Sequence, residues 1–237
     1  MRHFLFFVCL FLSIYCLSAQ EQTQISKDNS RSYIEVASNY ASIFSGREEP
    51  RYLNKAINHP YLETNSFISG SISIDGCKYF DIPMRLNQMI EELVVLSPNN
   101  SYPVIVPRKF LDYAIIDSFY IVYHKPESAD GRVLPEGYYV RMYNGENQVW
   151  KRNISFLISK TISSGNSMEY YFDNKKKTYI YMDGIYYPVS NKRSVLKLFA
   201  SKKKELKKII KQSGLKYREN PEKAIVAIAG YYDELNK

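Results

Sequence analysis

Thiol and imidazole chemistry in this chain would need three residues that lie far apart. Beyond the first nineteen residues there is one cysteine, Cys77, and there are two histidines, His59 and His124. They could form a thiol site only if folding brought them together, and their local sequences do not indicate that it does. We therefore expect Cys77 to be a small buried hydrophobic residue and each histidine to orient a loop through a hydrogen bond.

Paired carboxylates are a second route to catalysis, because a glycosidase needs only two acids held across a sugar. Glu91 and Glu92 are adjacent, so on a strand they point to opposite faces and cannot form such a pair. Asp112 and Asp117 flank a short apolar run, where turn and edge roles are common. The sequence also lacks a Gly-x-Ser-x-Gly turn, paired zinc-binding histidines, a Walker loop and a dinucleotide fingerprint. We predict no catalytic residue, no metal site and no cofactor.

Tyrosine is the unusual feature of the composition, with 22 residues. Several occur as adjacent pairs, and on a strand one ring of each pair would face the core and the other the solvent. Three exposed rings could then form a strip that binds a sugar or a protein; the alternative is ordinary strand tyrosines with single exposed rings. The candidate residues are Tyr138, Tyr139, Tyr170, Tyr171, Tyr186 and Tyr187.

The positive charge is concentrated near the C-terminus. The net charge is +8, and a basic helical stretch there contains a single acid, Glu205. Such a helix could lie on an anionic membrane or hold a polyanion, whereas the plainer interpretation is a solvated outer face on a helix that packs onto a sheet. Lysines without interleaved arginines or aromatic residues are poor evidence for nucleic acid, so no nucleic-acid partner is expected. The candidate anion contacts are Lys202, Lys203, Lys204, Lys207, Lys208 and Lys211.

Between Phe67 and Val189 the sequence has the pattern of strands and tight turns, and these elements must position the paired tyrosines. Three dipeptides that tolerate positive φ, Asp75-Gly76, Asn144-Gly145 and Asp183-Gly184, each separate two strand-like runs. They predict three hairpins with primed turns and hence an antiparallel sheet. A meander, a sandwich and a partly closed barrel would all satisfy this pattern.

Helical patterns lie on either side of the strands. From Ser30 to Phe44 there is a weak helical pattern with Gly46 as a stop, and after it comes a charged stretch broken by prolines. After Ser190 the apolar spacing becomes helical, with Ser201 as one predicted N-cap and Asn220-Pro221 opening the last helix. The predicted class is α+β, mostly antiparallel, with appended C-terminal helices.

The first nineteen residues are typical of a cleavable export signal. Arg2 and His3 form a basic start, an apolar run extends from Phe4 to Leu17, and Leu17-Ser18-Ala19 is a small-residue exit. That run is short for a membrane span, and neither early cysteine is placed for lipidation. We expect an exported protein, periplasmic or associated with the outer membrane, without a lipid anchor.

Four regions follow from these patterns. They are a signal peptide (1–19), a weakly helical and irregular N-terminal segment (20–66), an antiparallel β-domain (67–190) and basic amphipathic helices packed on that domain (191–237).

Several stretches, taken in order, resemble a family of exported proteins from Bacteroidota-type bacteria for which no activity is established. The resemblance covers most of the chain after the signal, and it implies location and architecture without supplying a mechanism. Such proteins tend to carry Asp at the position of Asn87 in this chain. The matching pieces are His59-Pro60-Tyr61, Gly70 to Tyr79, Leu93 to Pro98, Pro135 to Tyr139, Gly184 to Val189 and Lys203 to Leu206.

Export, hairpin density, aromatic strands and the missing catalytic motifs together favour a non-enzymatic protein of the cell envelope. The leading hypothesis is a binding or accessory module for another envelope component, either a protein or a glycan. The alternatives are a glycan-binding module that uses the paired tyrosines and a peripheral binder of anionic membranes that uses the lysine-rich helix. A hydrolase is the most remote alternative.

Overall fold

The computed structural model describes residues 23–236 apart from 25, 35–36, 38–40, 53–55, 100–101, 126–133 and 162–167. The predicted export signal, residues 1–19, therefore lies outside the described residues.

One antiparallel sheet of ten strands forms the centre of the protein, in the order β10-β9-β8-β7-β6-β5-β1-β2-β3-β4. The predicted α+β class is confirmed, and the strands form one sheet that is not closed into a barrel and has β10 and β4 at its edges. The strands are β1 (Ile68–Ile74), β2 (Cys77–Asn87), β3 (Glu92–Leu96), β4 (Pro103–Ile105), β5 (Leu111–Ile116), β6 (Phe119–His124), β7 (Gly137–Tyr143), β8 (Gln148–Thr161), β9 (Met168–Met182) and β10 (Ile185–Val189).

Two of the three predicted tight turns are confirmed. Asp75-Gly76 and Asp183-Gly184 have positive φ at both residues, as a primed hairpin turn requires. The third hairpin also forms, since β7 pairs antiparallel with β8, but its predicted primed turn is wrong. The φ angle is positive at neither residue of Asn144-Gly145, and the strand register shifts beside them. The physical reason is a tertiary contact: Asp233 accepts a hydrogen bond from the Asn147 backbone N–H (3.3 Å), and a Cβ at Gly145 would lie 2.2 Å from the same carboxylate oxygen.

The main core lies on one face of a curled sheet. It joins apolar side chains of β1, β2 and β3 to Ile121 of β6 and Val140 of β7. Strands β3 and β7 are five positions apart in the sheet, so this face must curve around the cluster to bring Leu93 and Val140 together.

Three helices pack against the end of the sheet that is formed by β7 to β10. They are α2 (Lys192–Leu198), α3 (Lys203–Gln212) and α4 (Pro221–Leu235), and they form a second core with Val149 of β8 and Ile180 of β9. The Asn220-Pro221 start is confirmed, since the Asn220 side chain accepts from the Lys223 N–H (2.9 Å). Ser201 is not an N-cap; it lies in a 3-10 turn and its hydroxyl contacts that of Tyr232 (3.2 Å).

The N-terminal segment differs from its prediction. Residues 26–34 are helical (α1), so the helix begins before Ser30, and a separate 3-10 turn is formed by Ser42–Phe44. Gly46 does not end a helix: a Cβ there would lie 1.7 Å from the Ile105 carbonyl oxygen, because residues 47–49 run along the edge of β4. This segment therefore covers one edge of the sheet.

Strands β8 and β9 are far longer than the sequence pattern predicts, at 14 and 15 residues. Beyond Lys151 they form a two-stranded arm, residues 152–161 and 168–177, of about 33 Å if fully extended. The arm lies against other parts of the chain: Arg152 pairs bidentately with Glu91 (2.8 and 2.7 Å), and the Ser155 N–H donates to the Gln88 carbonyl (3.0 Å).

Candidate functional site

The predicted tyrosine strip is wrong for its first pair. Tyr138 and Tyr139 are 3 % and 0 % exposed. The two rings do point to opposite faces of β7, but both faces are covered: Tyr138 joins the main core, and Tyr139 packs with Leu134, Trp150 and Tyr179. Neither ring of this pair faces solvent.

The other four tyrosines are half-buried and do not form one strip. Tyr170 and Tyr171 lie on opposite faces of the arm, and Tyr186 and Tyr187 on opposite faces of β10. Tyr186 packs on Tyr181 with ring centroids 4.8 Å apart, at the margin of the cluster around Leu134.

The predicted lysines lie together on and beside α3. Lys202 is half-buried in the preceding 3-10 turn, whereas the other five are exposed on the helix. Among the described residues, none of the six is in an ion pair.

Of the remaining sequence candidates, His59 and Asp112 have structural roles. Cys77 is exposed, contrary to expectation, because it directly follows the Asp75-Gly76 turn. His59 orients its loop as predicted, since its Nδ1 accepts from the Tyr61 N–H (3.3 Å). Asp112 accepts from the Gly76 N–H (2.8 Å), which is a turn role.

Glu91 and Glu92 bind different arginines. Glu91 precedes β3 with φ of 50°, so the two acids do not lie on one strand as expected, and they pair with Arg152 and Arg108 respectively. Within the described residues, no group of three or more His, Cys, Asp and Glu side chains is arranged to hold a metal ion.

A polar cleft of about 320 Å³ lies where the N-terminal segment, the end of β2 and the arm meet. Residues 49–52 and 56–61, which include Pro50 and Pro60, line this junction. Most of the polar side chains that line the cleft belong to this segment. The side chains that we use to define the polar cleft are those of Glu49, Arg51, Tyr52, Asn58, His59, Tyr61, Asn65, Arg85 and Phe172.

A buried ion pair forms the floor of the polar cleft. The Glu49 side chain is 3 % exposed and that of Arg85 14 %. Arg85 donates from Nη2 to Glu49 Oε2 (2.6 Å), and Asn87 donates from Nδ2 to Glu49 Oε1 (2.6 Å). Both carboxylate oxygens are therefore satisfied, which is what a buried charge requires.

Aromatic rings hold the Arg85 guanidinium in place. Its central carbon lies 3.8 Å from the Tyr61 ring centroid and 4.1 Å from that of Phe67. A planar cation between two rings is a stabilising cation–π arrangement. Arg85 also donates from Nη1 to the Asn65 carbonyl (2.9 Å), so one side chain ties β2 to the loop that borders the cleft.

Two tyrosine hydroxyls border the cleft as protonated groups. Burial raises the pKa of Tyr52 and of Tyr61, and the neighbouring Glu49 carboxylate raises both further. The Tyr52 hydroxyl accepts from Asn87 Nδ2 (2.7 Å), which leaves its proton available to donate. At neutral pH the cleft thus offers the Tyr52 hydroxyl as a donor, whereas the buried Tyr61 hydroxyl is hydrogen-bonded with Glu49.

The arm supplies the opposite wall. The Asn58 side chain donates to the Phe172 carbonyl (2.8 Å) and accepts from the Phe172 N–H (2.6 Å). The rings of Tyr52 and Phe172 meet edge to face at 5.5 Å. The long hairpin is therefore what converts an open surface beside β2 into a cleft.

A larger cleft of about 640 Å³ lies between β9, β10 and the start of α4. Its acid, Glu222, already pairs with Lys151 (2.8 Å) and Lys176 (3.1 Å). Lys151 is 2 % exposed, so this pair fastens α4 to the sheet. We favour the polar cleft as the candidate site because more hydrogen-bonding side chains of different types converge there.

No protein-family model, curated protein or solved structure matches this chain. The resemblance to exported bacterial proteins thus stays a prediction. Of the helices in the described part of the chain, none is long and apolar enough to cross a membrane.

Proposed function

We propose that this chain is an exported, non-enzymatic cell-envelope protein that binds a glycan in the polar cleft. The observation that carries the proposal is the joint presence of a neutralised ion pair, two protonated tyrosine hydroxyls and amide side chains around one cavity. Export is proposed from the sequence of residues 1–19, and the envelope component that bears the glycan would be the partner.

Charge balance favours a neutral ligand. Glu49 and Arg85 cancel each other on the floor, and the other arginine among the described residues of the cleft, Arg51, has a side chain that is 90 % exposed at the rim. A neutral ligand with many hydroxyls exchanges donors and acceptors with such a surface without the cost of desolvating a net charge. Sugars have this chemistry.

The aromatic residues of the cleft suit the same ligand. The half-buried Tyr52 brings its ring next to the polar groups, whereas Tyr61 and Phe172 are only 8 % and 5 % exposed and support the cleft from within. The C–H faces of a sugar ring pack on such aromatic surfaces while its hydroxyls bond to the polar groups. The proposed contact residues therefore differ from the paired tyrosines that the sequence suggested.

The number of carboxylates in the cleft and their hydrogen bonds favour a binding role over hydrolysis. Among the described residues that line the cleft, Glu49 is the single carboxylate, and both its oxygens already accept hydrogen bonds. Acid–base cleavage of a glycosidic bond uses two carboxyl groups on either side of the bond.

A glycan array carrying neutral bacterial and host polysaccharides tests the proposal. We expect binding to at least one neutral glycan, and about a tenfold lower affinity in a Tyr52→Phe/Tyr61→Phe variant, which loses two hydroxyls but keeps its rings. The matched control is Tyr113→Phe/Tyr181→Phe, which removes two hydroxyls outside the cleft and should leave the affinity unchanged. Silence across the array, or equal loss in both variants, would contradict the proposal.

A further inference from the structure

The lysine-rich helix takes no part in the polar cleft, and its charge is extreme for so short a stretch. Residues 192–223 contain twelve lysines and arginines against three glutamates, so this stretch alone exceeds the net charge of the whole chain, +8. The positive field of the protein is therefore concentrated on the helical side.

Five lysines form one face of α3. At 3.6 residues per turn they fall within about 140° of the helix circumference. All five are exposed, and none is in an ion pair within the described part of the chain. We name this set the lysine face; its members are Lys203, Lys204, Lys207, Lys208 and Lys211.

The apolar side of α3 is already occupied. Leu206 is 0 % and Ile210 4 % exposed, and both belong to the same core cluster as Ile225 and Ile228 of α4. An amphipathic helix that inserts into lipid needs its apolar face free. Here only the charged face can meet a surface, so any adhesion must be electrostatic.

We propose that the lysine face is a docking surface for a membrane with anionic, phosphate-bearing headgroups. Compact ammonium groups on flexible stems can each approach a different headgroup across a flat surface. An anionic lipid layer presents that flat arrangement of charge. The lysines lie on the outer side of a single helix instead of lining a groove, which is the form that would hold one polymer strand. This inference goes beyond the proposed function and does not depend on it.

Vesicle sedimentation with the purified protein tests the inference. The probes are vesicles of phosphatidylcholine alone and of phosphatidylcholine mixed equally with phosphatidylglycerol, at about 0.1 M and about 1 M salt, where the Debye length falls from about 10 Å to about 3 Å. We expect binding to the mixed vesicles at the lower salt, and its loss at the higher salt and on phosphatidylcholine alone.

Two charge-reversal variants with the same net charge locate the contact. Lys203→Glu/Lys207→Glu/Lys211→Glu should weaken binding to the mixed vesicles about a hundredfold or more, because each basic residue near the surface contributes roughly a factor of five to ten. Lys78→Glu/Lys125→Glu/Lys160→Glu changes exposed lysines outside the helices and should bind almost as the unchanged protein does.

Three outcomes would overturn the inference. They are binding that persists at about 1 M salt, equal loss in the two variants, and capture of the protein by soluble dextran sulfate in preference to mixed vesicles of equal total charge. The last outcome would identify a polyanionic polymer as the partner.

Discussion

Glu49 is the residue on which the polar cleft depends. Its carboxylate joins Arg85 and Asn87 of β2 to the N-terminal segment, and it is almost completely buried. Removing one partner of a buried pair leaves the other charge without compensation, which costs more than the pair itself contributes.

We therefore expect Glu49→Gln to lower the free energy of unfolding by about 2–4 kcal/mol, because Arg85 would keep its charge beneath two rings without a counter-ion. Urea denaturation measures the change. The neighbouring Glu48→Gln is the matched control: Glu48 is 53 % exposed and lies 4.0 Å from Arg51, so its loss should change stability by less than about 0.5 kcal/mol. Equal effects of the two substitutions would show that Glu49 does not hold the cleft together.

The residues of the polar cleft could not be identified from sequence. Glu49 and Arg85 are 36 positions apart, and Glu49 and Asn87 are 38 apart. No local pattern links such residues. The stretch from Arg47 to Tyr61 is charged and broken by prolines, a pattern typical of a surface loop. Within it, Glu49-Pro50 and His59-Pro60-Tyr61 place polar residues beside prolines that fix the backbone.

At the level of elements, hairpins with Asp-Gly turns were predictable and the long arm was not. A type I′ turn is encoded by two residues, so Asp75-Gly76 and Asp183-Gly184 specify their hairpins locally. Beyond Trp150, β8 has polar and apolar side chains on both faces, because the arm contacts the β2–β3 turn and the N-terminal segment instead of a continuous core. Tertiary contacts of this kind leave no periodic pattern.

The ion pair between Glu222 and Lys151 joins α4 to β8, and its contribution to stability should depend on pH. Burial alone would raise the pKa of Glu222, but hydrogen bonds and charges from Lys151 and Lys176 outweigh it and hold the pKa below its ordinary value of 4.5. A carboxylate with a lowered folded-state pKa stabilises the fold above about pH 4.5, and this contribution is lost as the pH falls through the folded-state pKa.

Glu222→Gln should therefore destabilise the protein by about 2–4 kcal/mol at pH 7, since Lys151 would stay buried without a carboxylate. The difference from the unchanged protein should shrink as the pH is lowered below about 4.5. Thermal unfolding from neutral to acid pH measures it. Glu219→Gln, which breaks an exposed pair with Lys216, is the control and should have little effect at any pH. A penalty for Glu222→Gln that does not change with pH would contradict the assignment.

At the scale of the whole molecule, the charge and the recognition chemistry lie on different parts of the fold. The helices on one part of the sheet carry the excess lysines, whereas the polar cleft is formed by the N-terminal segment, β2 and the arm and is balanced in charge. Adhesion to a membrane and recognition of a glycan can therefore be changed separately by substitution.

The most direct measurement for the central claim is a map of backbone and side-chain amide shifts by NMR during titration with neutral oligosaccharides released from bacterial envelopes. We predict that the largest shifts occur at the side-chain amides of Asn58 and Asn65 and at the backbone amides of His59 and Tyr61, with none on α3. Shifts confined to the tyrosines around Leu134, or to the helices, would contradict the assignment of the polar cleft as the binding site.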